Sequence, residues 1–184
     1  MGKNLYGALA YNQNKVDEGG AKVLSAHLLR YPEDGRFRPD ESVRQFLEWM
    51  PNHYRTEKPV IHISLNPHPD DVLTDGQLAE IGREYMQRLG NGNQPYLVFK
   101  HEDIGRHHIH IVSLRVDSEG RKVSDKFEYR RSKEITELLE QKYGLHPAEG
   151  RKKGEEWQLK PVDVAKGDIK RQIACTLKPL LELY

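Results

Sequence analysis

The chain has 184 residues, a length that favours one domain with a core of moderate size. Its 29 Lys+Arg against 28 Asp+Glu leave a net charge of +1, so bulk electrostatics do not mark it as a nucleic-acid binder, although a local basic patch fits inside a balanced total. At 36% hydrophobic and 31% charged residues it is a polar chain, yet its periodic apolar segments exclude global disorder.

No apolar run approaches the roughly 18 residues needed to span a bilayer, and the N-terminus lacks the basic-then-apolar order of a signal peptide. Cys175 is the only cysteine, which excludes an internal disulfide framework and a cysteine-based zinc cage. A cytoplasmic protein with no membrane segment is expected, residues 1–184 forming a single domain truncated from a longer chain.

Along the chain, Leu5 to Tyr11 is apolar and reads equally as a strand or as the start of a helix, followed by a charged turn ending at Gly19-Gly20. From Asp40 to Met50 the spacing of Val43, Phe46, Leu47 and Met50 predicts a helix capped by Asp40 or Ser42 and stopped by Pro51. Pro59 to Leu65 alternates around β-branched residues and predicts a strand. Thr74 and Gln77 have capping-box spacing, and Leu78, Ile81, Tyr85 and Leu89 continue one helical face to a stop at Gly90. Two β-rich runs follow, Pro95 to His101 and His107 to Val116, predicting an antiparallel hairpin with a short connector. After a turn at Asp117 to Gly120, Ser132 is expected to cap a helix whose Ile135, Leu138, Leu139 and Tyr143 face the core before Gly144 ends it. A polar stretch from His146 to Lys160 reads as a loop, and a last helix is predicted over Val164 to Leu183, with Cys175 as a small buried hydrophobe on it. Strands mixed with helices around a central hairpin predict an α+β fold, a central antiparallel sheet covered by helices.

Of nine histidines, His101, His107, His108 and His110 fall within ten residues. Period-two alternation puts His108 and His110 on one strand face, with His107, Ile109 and Ile111 on the other. Hairpin pairing brings His101 close to that pair, and three converging imidazoles make a metal site with positions left for water or substrate. The alternative is a set of surface histidines on a solvated strand. Asp103 is placed either to orient a ligand or serve as a base, or simply to make a turn. His107 and His62 read as structural, His107 alternatively as facing DNA.

The pattern His101-x-Asp103-x-x-x-x-His108-Ile109-His110 resembles the three-histidine motif of conjugative relaxases, mobilisation nucleases of the HUH endonuclease class. Gly7-Ala8-Leu9-Ala10-Tyr11-Asn12 resembles the segment carrying their nucleophilic tyrosine, and Ile61 to Pro67 resembles their second motif. Phe127 to Ser132, then Glu140-x-x-Tyr143-Gly144-Leu145, resembles the segment that follows.

The resemblance implies a circularly permuted relaxase fold with helices on one side of the sheet. It implies a tyrosine that attacks one phosphodiester of a plasmid or mobile-element transfer origin, leaving a 5′-phosphotyrosine and a free 3′-hydroxyl that can later be rejoined. A free tyrosine ionises near pH 10, about three units above neutrality, so the developing charge needs stabilising, which a divalent ion on His101, His108 and His110 supplies. Mg²⁺, Mn²⁺, Zn²⁺ and Ni²⁺ are the candidates. Mg²⁺ prefers oxygen ligands, so on ligand chemistry alone the imidazoles suit the other three.

Tyr11 is the preferred nucleophile and Tyr6 the alternative. Ser64 resembles the serine of the second motif, which implies that it holds DNA near the cleaved bond; the alternative is a structural strand hydroxyl. Lys100, Arg106, Arg115, Lys122, Lys126, Arg130, Arg131 and Lys133 cluster around the site in sequence and, with Ser132, are expected to line the backbone path, with Tyr129 stacking a base; the alternative is a solvated charged face. The partners implied are single-stranded or hairpin DNA of the origin, accessory mobilisation proteins and a coupling protein. Two other readings stay open: a replication initiator or transposase of the same class, with Tyr129 or Tyr143 as nucleophile, and a non-catalytic metal-dependent DNA-binding domain.

Overall fold

The computed structural model describes residues 4–30, 38–102 and 107–147. The predicted last helix, most of the polar stretch before it, Cys175, Asp103 and Arg106 lie outside the described residues.

The ambiguous opening segment is a helix, α1 (Leu5–Asp17). Asn4 decides it locally, since its side chain accepts the backbone N–H of Gly7 at 2.9 Å and so satisfies one of the donors a helix start leaves open. After Gly19-Gly20 comes a strand the sequence did not announce, β1 (Ala21–His27). A β-bulge between Val23 and Ser25 breaks its alternation, which hides the period-two signal.

Helix α2 (Pro39–Trp49) starts one residue earlier than predicted, with Pro39 in its first turn and Arg38 as the cap. Asp40 and Ser42 therefore lie inside the helix rather than capping it. Phe46 is fully buried, but Leu47, expected on the core face, is 56% exposed. Strand β2 (Val60–Leu65) and helix α3 (Asp75–Leu89) follow as predicted, α3 with the complete Thr74–Gln77 capping box and a left-handed Gly90 at φ 92°.

Strands β3 (Tyr96–His101) and β4 (His108–Leu114) form the predicted hairpin. Helix α4 (Glu128–Tyr143) begins four residues before Ser132, its cap being Phe127 at a left-handed φ of 54°. Ser132 is thus a helix-interior residue whose hydroxyl meets the Tyr85 hydroxyl at 2.8 Å. Ile135 and Leu139 are buried, whereas Leu138 is 48% exposed.

The four strands form one sheet in the order β1-β3-β4-β2, antiparallel throughout. The fold is α+β, as expected. Helices cover both faces, which corrects the expectation of helices on one side. On one face, α3 and α4 pack Leu78, Ile81, Tyr85, Ile135 and Leu139 against Val98, Ile109 and Ile111. On the other, α1 and α2 pack Leu5, Leu9 and Phe46 against Val60, Leu97, Phe99, Val112 and Leu114. The second apolar cluster does not extend to the far end of β4, where histidines take over the same face.

Candidate metal and nucleophile site

Register builds the site. His101 is the cross-strand partner of His108, and Phe99 is the partner of His110, so His101, His108 and His110 share the α1 face of the sheet. Their ring centroids stand 5.2 Å (His101–His108), 4.3 Å (His101–His110) and 5.1 Å (His108–His110) apart. One ring nitrogen from each can be chosen so that all three lie within 4.8 Å of one another. His101 and His108 are buried and His110 is half-buried, so the bland picture of three solvated surface histidines does not hold.

Over this cluster lies Tyr11. Its ring centroid is 5.9 Å from His101, stacked, and 6.0 Å from His110, edge-on. Helix α1 places it there by burying Leu5, Leu9 and Asn12 against the sheet, which leaves Tyr11 at the rim and 46% exposed. Tyr6 lies five residues earlier on α1, more than a turn away, and is 51% exposed.

Two residues outside the expected site complete the surroundings, Asn12, given no role by the sequence, and His62, read there as structural. Asn12 is fully buried, its Oδ1 2.7 Å from Nε2 of His101 and its Nδ2 donating to the carbonyl of Ala8 at 2.7 Å. His62 on β2 places its Nε2 2.9 Å from Nδ1 of His110, and its ring centroid is 6.2 Å from that of Tyr11. Burial pushes the His62 imidazole below its usual pKa, favouring the neutral ring.

The family model described as relaxase, MobA/VirD2-like, nuclease domain matches residues 11–145. The chain belongs to this relaxase family. No curated protein and no solved structure matches it.

A relaxase nicks DNA with the help of a metal ion, and the histidine cluster of this one suits such an ion. With one ring nitrogen from each within 4.8 Å of the others, His101, His108 and His110 would hold such an ion. Three neutral nitrogen donors also leave positions for phosphate oxygens.

Of the other residues predicted for the relaxase site, Ser64 is brought in. It is the cross-strand partner of His110 on β2, and its Oγ accepts from Asn66 Nδ2 at 3.1 Å. Arg130, Arg131, Ser132 and Tyr129 are not, because α4 packs on the opposite face of the sheet. Arg130 pairs with Glu134 at 2.8 Å, and the Arg131 guanidinium donates to the carbonyls of Leu89 and Ser124, closing the C-terminus of α3. Lys100 faces away from the histidines and is bound by Asp75 and Glu102, while Arg115 is buried between Asp125 and Glu128. His107 lies 3.5 Å from Glu102, half exposed. Asp103 and Arg106 fall in the connector outside the described residues.

Proposed function

We propose that this relaxase cuts one strand of transfer-origin DNA by transesterification at Tyr11, with a divalent ion held by His101, His108 and His110. The observation that carries the reading is the position of Tyr11, whose ring lies about as close to His101 and His110 as two packed aromatic rings stand.

In this reaction the Tyr11 Oη–P bond forms and the P–O3′ bond breaks. The electron pair of the broken bond goes to O3′, which also ends with the proton that Oη has lost. The products are a 5′-phosphotyrosine and a free 3′-hydroxyl. One phosphoester is exchanged for another, so the strand can later be rejoined. An ion held by His101, His108 and His110 would supply charge stabilisation to the phosphate. The protein supplies orientation: α1 aims the hydroxyl, the paired strands fix the imidazoles, and Ser64 stands beside His110 to hold the strand near the cut.

Tyr129 and Tyr143, the nucleophiles of a replication-initiator reading, both lie on α4. Tyr129 is 85% exposed there, and Tyr143 donates to Glu84 at 3.3 Å. With α1 preceding the histidine strands in chain order, the arrangement agrees with a permuted relaxase fold.

The test is incubation with single-stranded origin oligonucleotides and Mn²⁺, followed by a denaturing gel. The wild type is expected to yield a covalent adduct and Tyr11→Phe none, with DNA and metal binding retained. Binding without any adduct in the wild type would instead support a non-catalytic domain.

A further inference from the structure

Asn12 sits beside the proposed nucleophile in sequence and beside the histidine cluster in space, and its two amide ends have distinct partners. The Ala8 carbonyl can only accept a hydrogen bond, so the end of the Asn12 amide that faces it at 2.7 Å is the nitrogen. The oxygen therefore faces His101, and an amide oxygen can only accept, so Nε2 of His101, 2.7 Å away, carries the proton. An imidazole that serves as a metal ligand is neutral and has a single N–H. Its lone pair is then on Nδ1.

We propose that Asn12 is the positioning residue that sets the tautomer of His101 and so makes Nδ1 its metal-binding nitrogen. Histidine ligands are commonly oriented through the ring nitrogen that does not face the metal, by a carbonyl or carboxylate acceptor. Here the acceptor is delivered by α1, the helix that carries Tyr11, so one hydrogen bond ties the reactive hydroxyl's helix to the His101 end of β3. Full burial of Asn12 keeps water from replacing it. The inference deepens the reading of His101, His108 and His110 as a metal site and rests on it.

The tautomer is read directly from ¹⁵N shifts of His101 by long-range ¹H–¹⁵N correlation on the metal-free wild type, and Zn²⁺ affinity is measured by calorimetry. The Nε2–H form is expected in the wild type. Asn12→Leu, which cannot accept the hydrogen bond, is expected to give mixed tautomers and about a 10- to 100-fold loss of Zn²⁺ affinity. Asn12→Asp offers His101 an oxygen at the same place but no donor to the Ala8 carbonyl, so it is expected to restore the Nε2–H form and most of the Zn²⁺ affinity at some cost in thermal stability. A merely structural asparagine would give lower thermal stability in both variants with the tautomer unmoved. An Nδ1–H tautomer in the wild type, or Zn²⁺ affinity in Asn12→Leu equal to the wild type, would overturn the assignment. If Asn12→Leu does not fold, the wild-type tautomer and Asn12→Asp decide the matter. A wild type that takes up no Zn²⁺ or Mn²⁺ at all would overturn the metal-site reading itself.

Discussion

At the level of single residues, the three histidines differ in what their removal costs. His110 is half-buried, so His110→Ala is expected to lower metal affinity at least tenfold while thermal unfolding stays near that of the wild type. His101 is fully buried against Asn12, so His101→Ala also opens a cavity and leaves a buried amide unpaired, at a cost of about 2 kcal/mol or more. Calorimetry paired with thermal melts checks both, and undiminished metal affinity in His110→Ala would remove that ring from the site. His101, His108 and His110 were legible as a cluster because alternation and local spacing survive in a linear sequence, whereas Tyr11 was singled out by the resemblance of Gly7 to Asn12 to a family motif. Asn12 and His62 were not, since their partners are 89 and 48 residues away and a polar residue on an apolar helix face leaves no periodic trace.

Among the elements, the clasp between α3 and α4 is a charged one. Glu84, nearly buried on α3, receives Lys142 of α4 at 2.6 Å and Arg88 at 2.7 Å. Lys142 and then Arg88 hold its carboxyl down to about 2 from an ordinary 4.5. A carboxyl whose folded pKa is depressed gives stability that is complete above its unfolded value and lost as pH falls toward its folded value. The melting temperature is therefore expected to fall between about pH 4.5 and pH 2, and Glu84→Gln to flatten that part of the profile. Melts of Glu84→Gln that keep the full acid drop would assign it to other carboxylates. Thr74→Ala, which removes the capping box of α3, is expected to cost about 1 kcal/mol by denaturant titration. These helices were readable because caps, stops and apolar spacing agree with one another. Strand β1 escaped because its bulge interrupts the alternation, and α4 was started late because no side chain caps it, Phe127 turning the chain in a left-handed conformation instead.

For the whole molecule, the sheet divides the labour. One face, under α3 and α4, is an apolar core with Lys100 paired to Asp75 at its edge, and the other is a core for part of its length and a polar site for the rest. The basic run that looked continuous in sequence is divided by this arrangement and largely neutralised. Lys122 pairs with Asp125 at 2.7 Å, Arg130 with Glu134 at 2.8 Å and Lys133 with Glu137 at 3.6 Å. A cation already facing a carboxylate releases few counterions when DNA arrives. Replacing Lys122, Arg130 and Lys133 together by alanine is therefore expected to change the salt slope of DNA binding by about one unit or less, against about two to three if each faced a phosphate. Anisotropy titrations between low and moderate salt distinguish the two. The pairing of cations with acids from neighbouring turns was the part of the surface that residue spacing alone could not assign.

The central claim, that the hydroxyl over the histidines is the nucleophile, is tested most directly by isolating the covalent protein–DNA adduct, digesting it and locating the modified residue by mass spectrometry. The account predicts the nucleotide on Tyr11 itself, distinguished by fragmentation from Tyr6 on the same stretch of chain, and on no other residue. Recovery on Tyr6 would move the nucleophile along α1, and recovery on Tyr129 or Tyr143 would place the chemistry on the opposite face of the sheet and contradict the account outright.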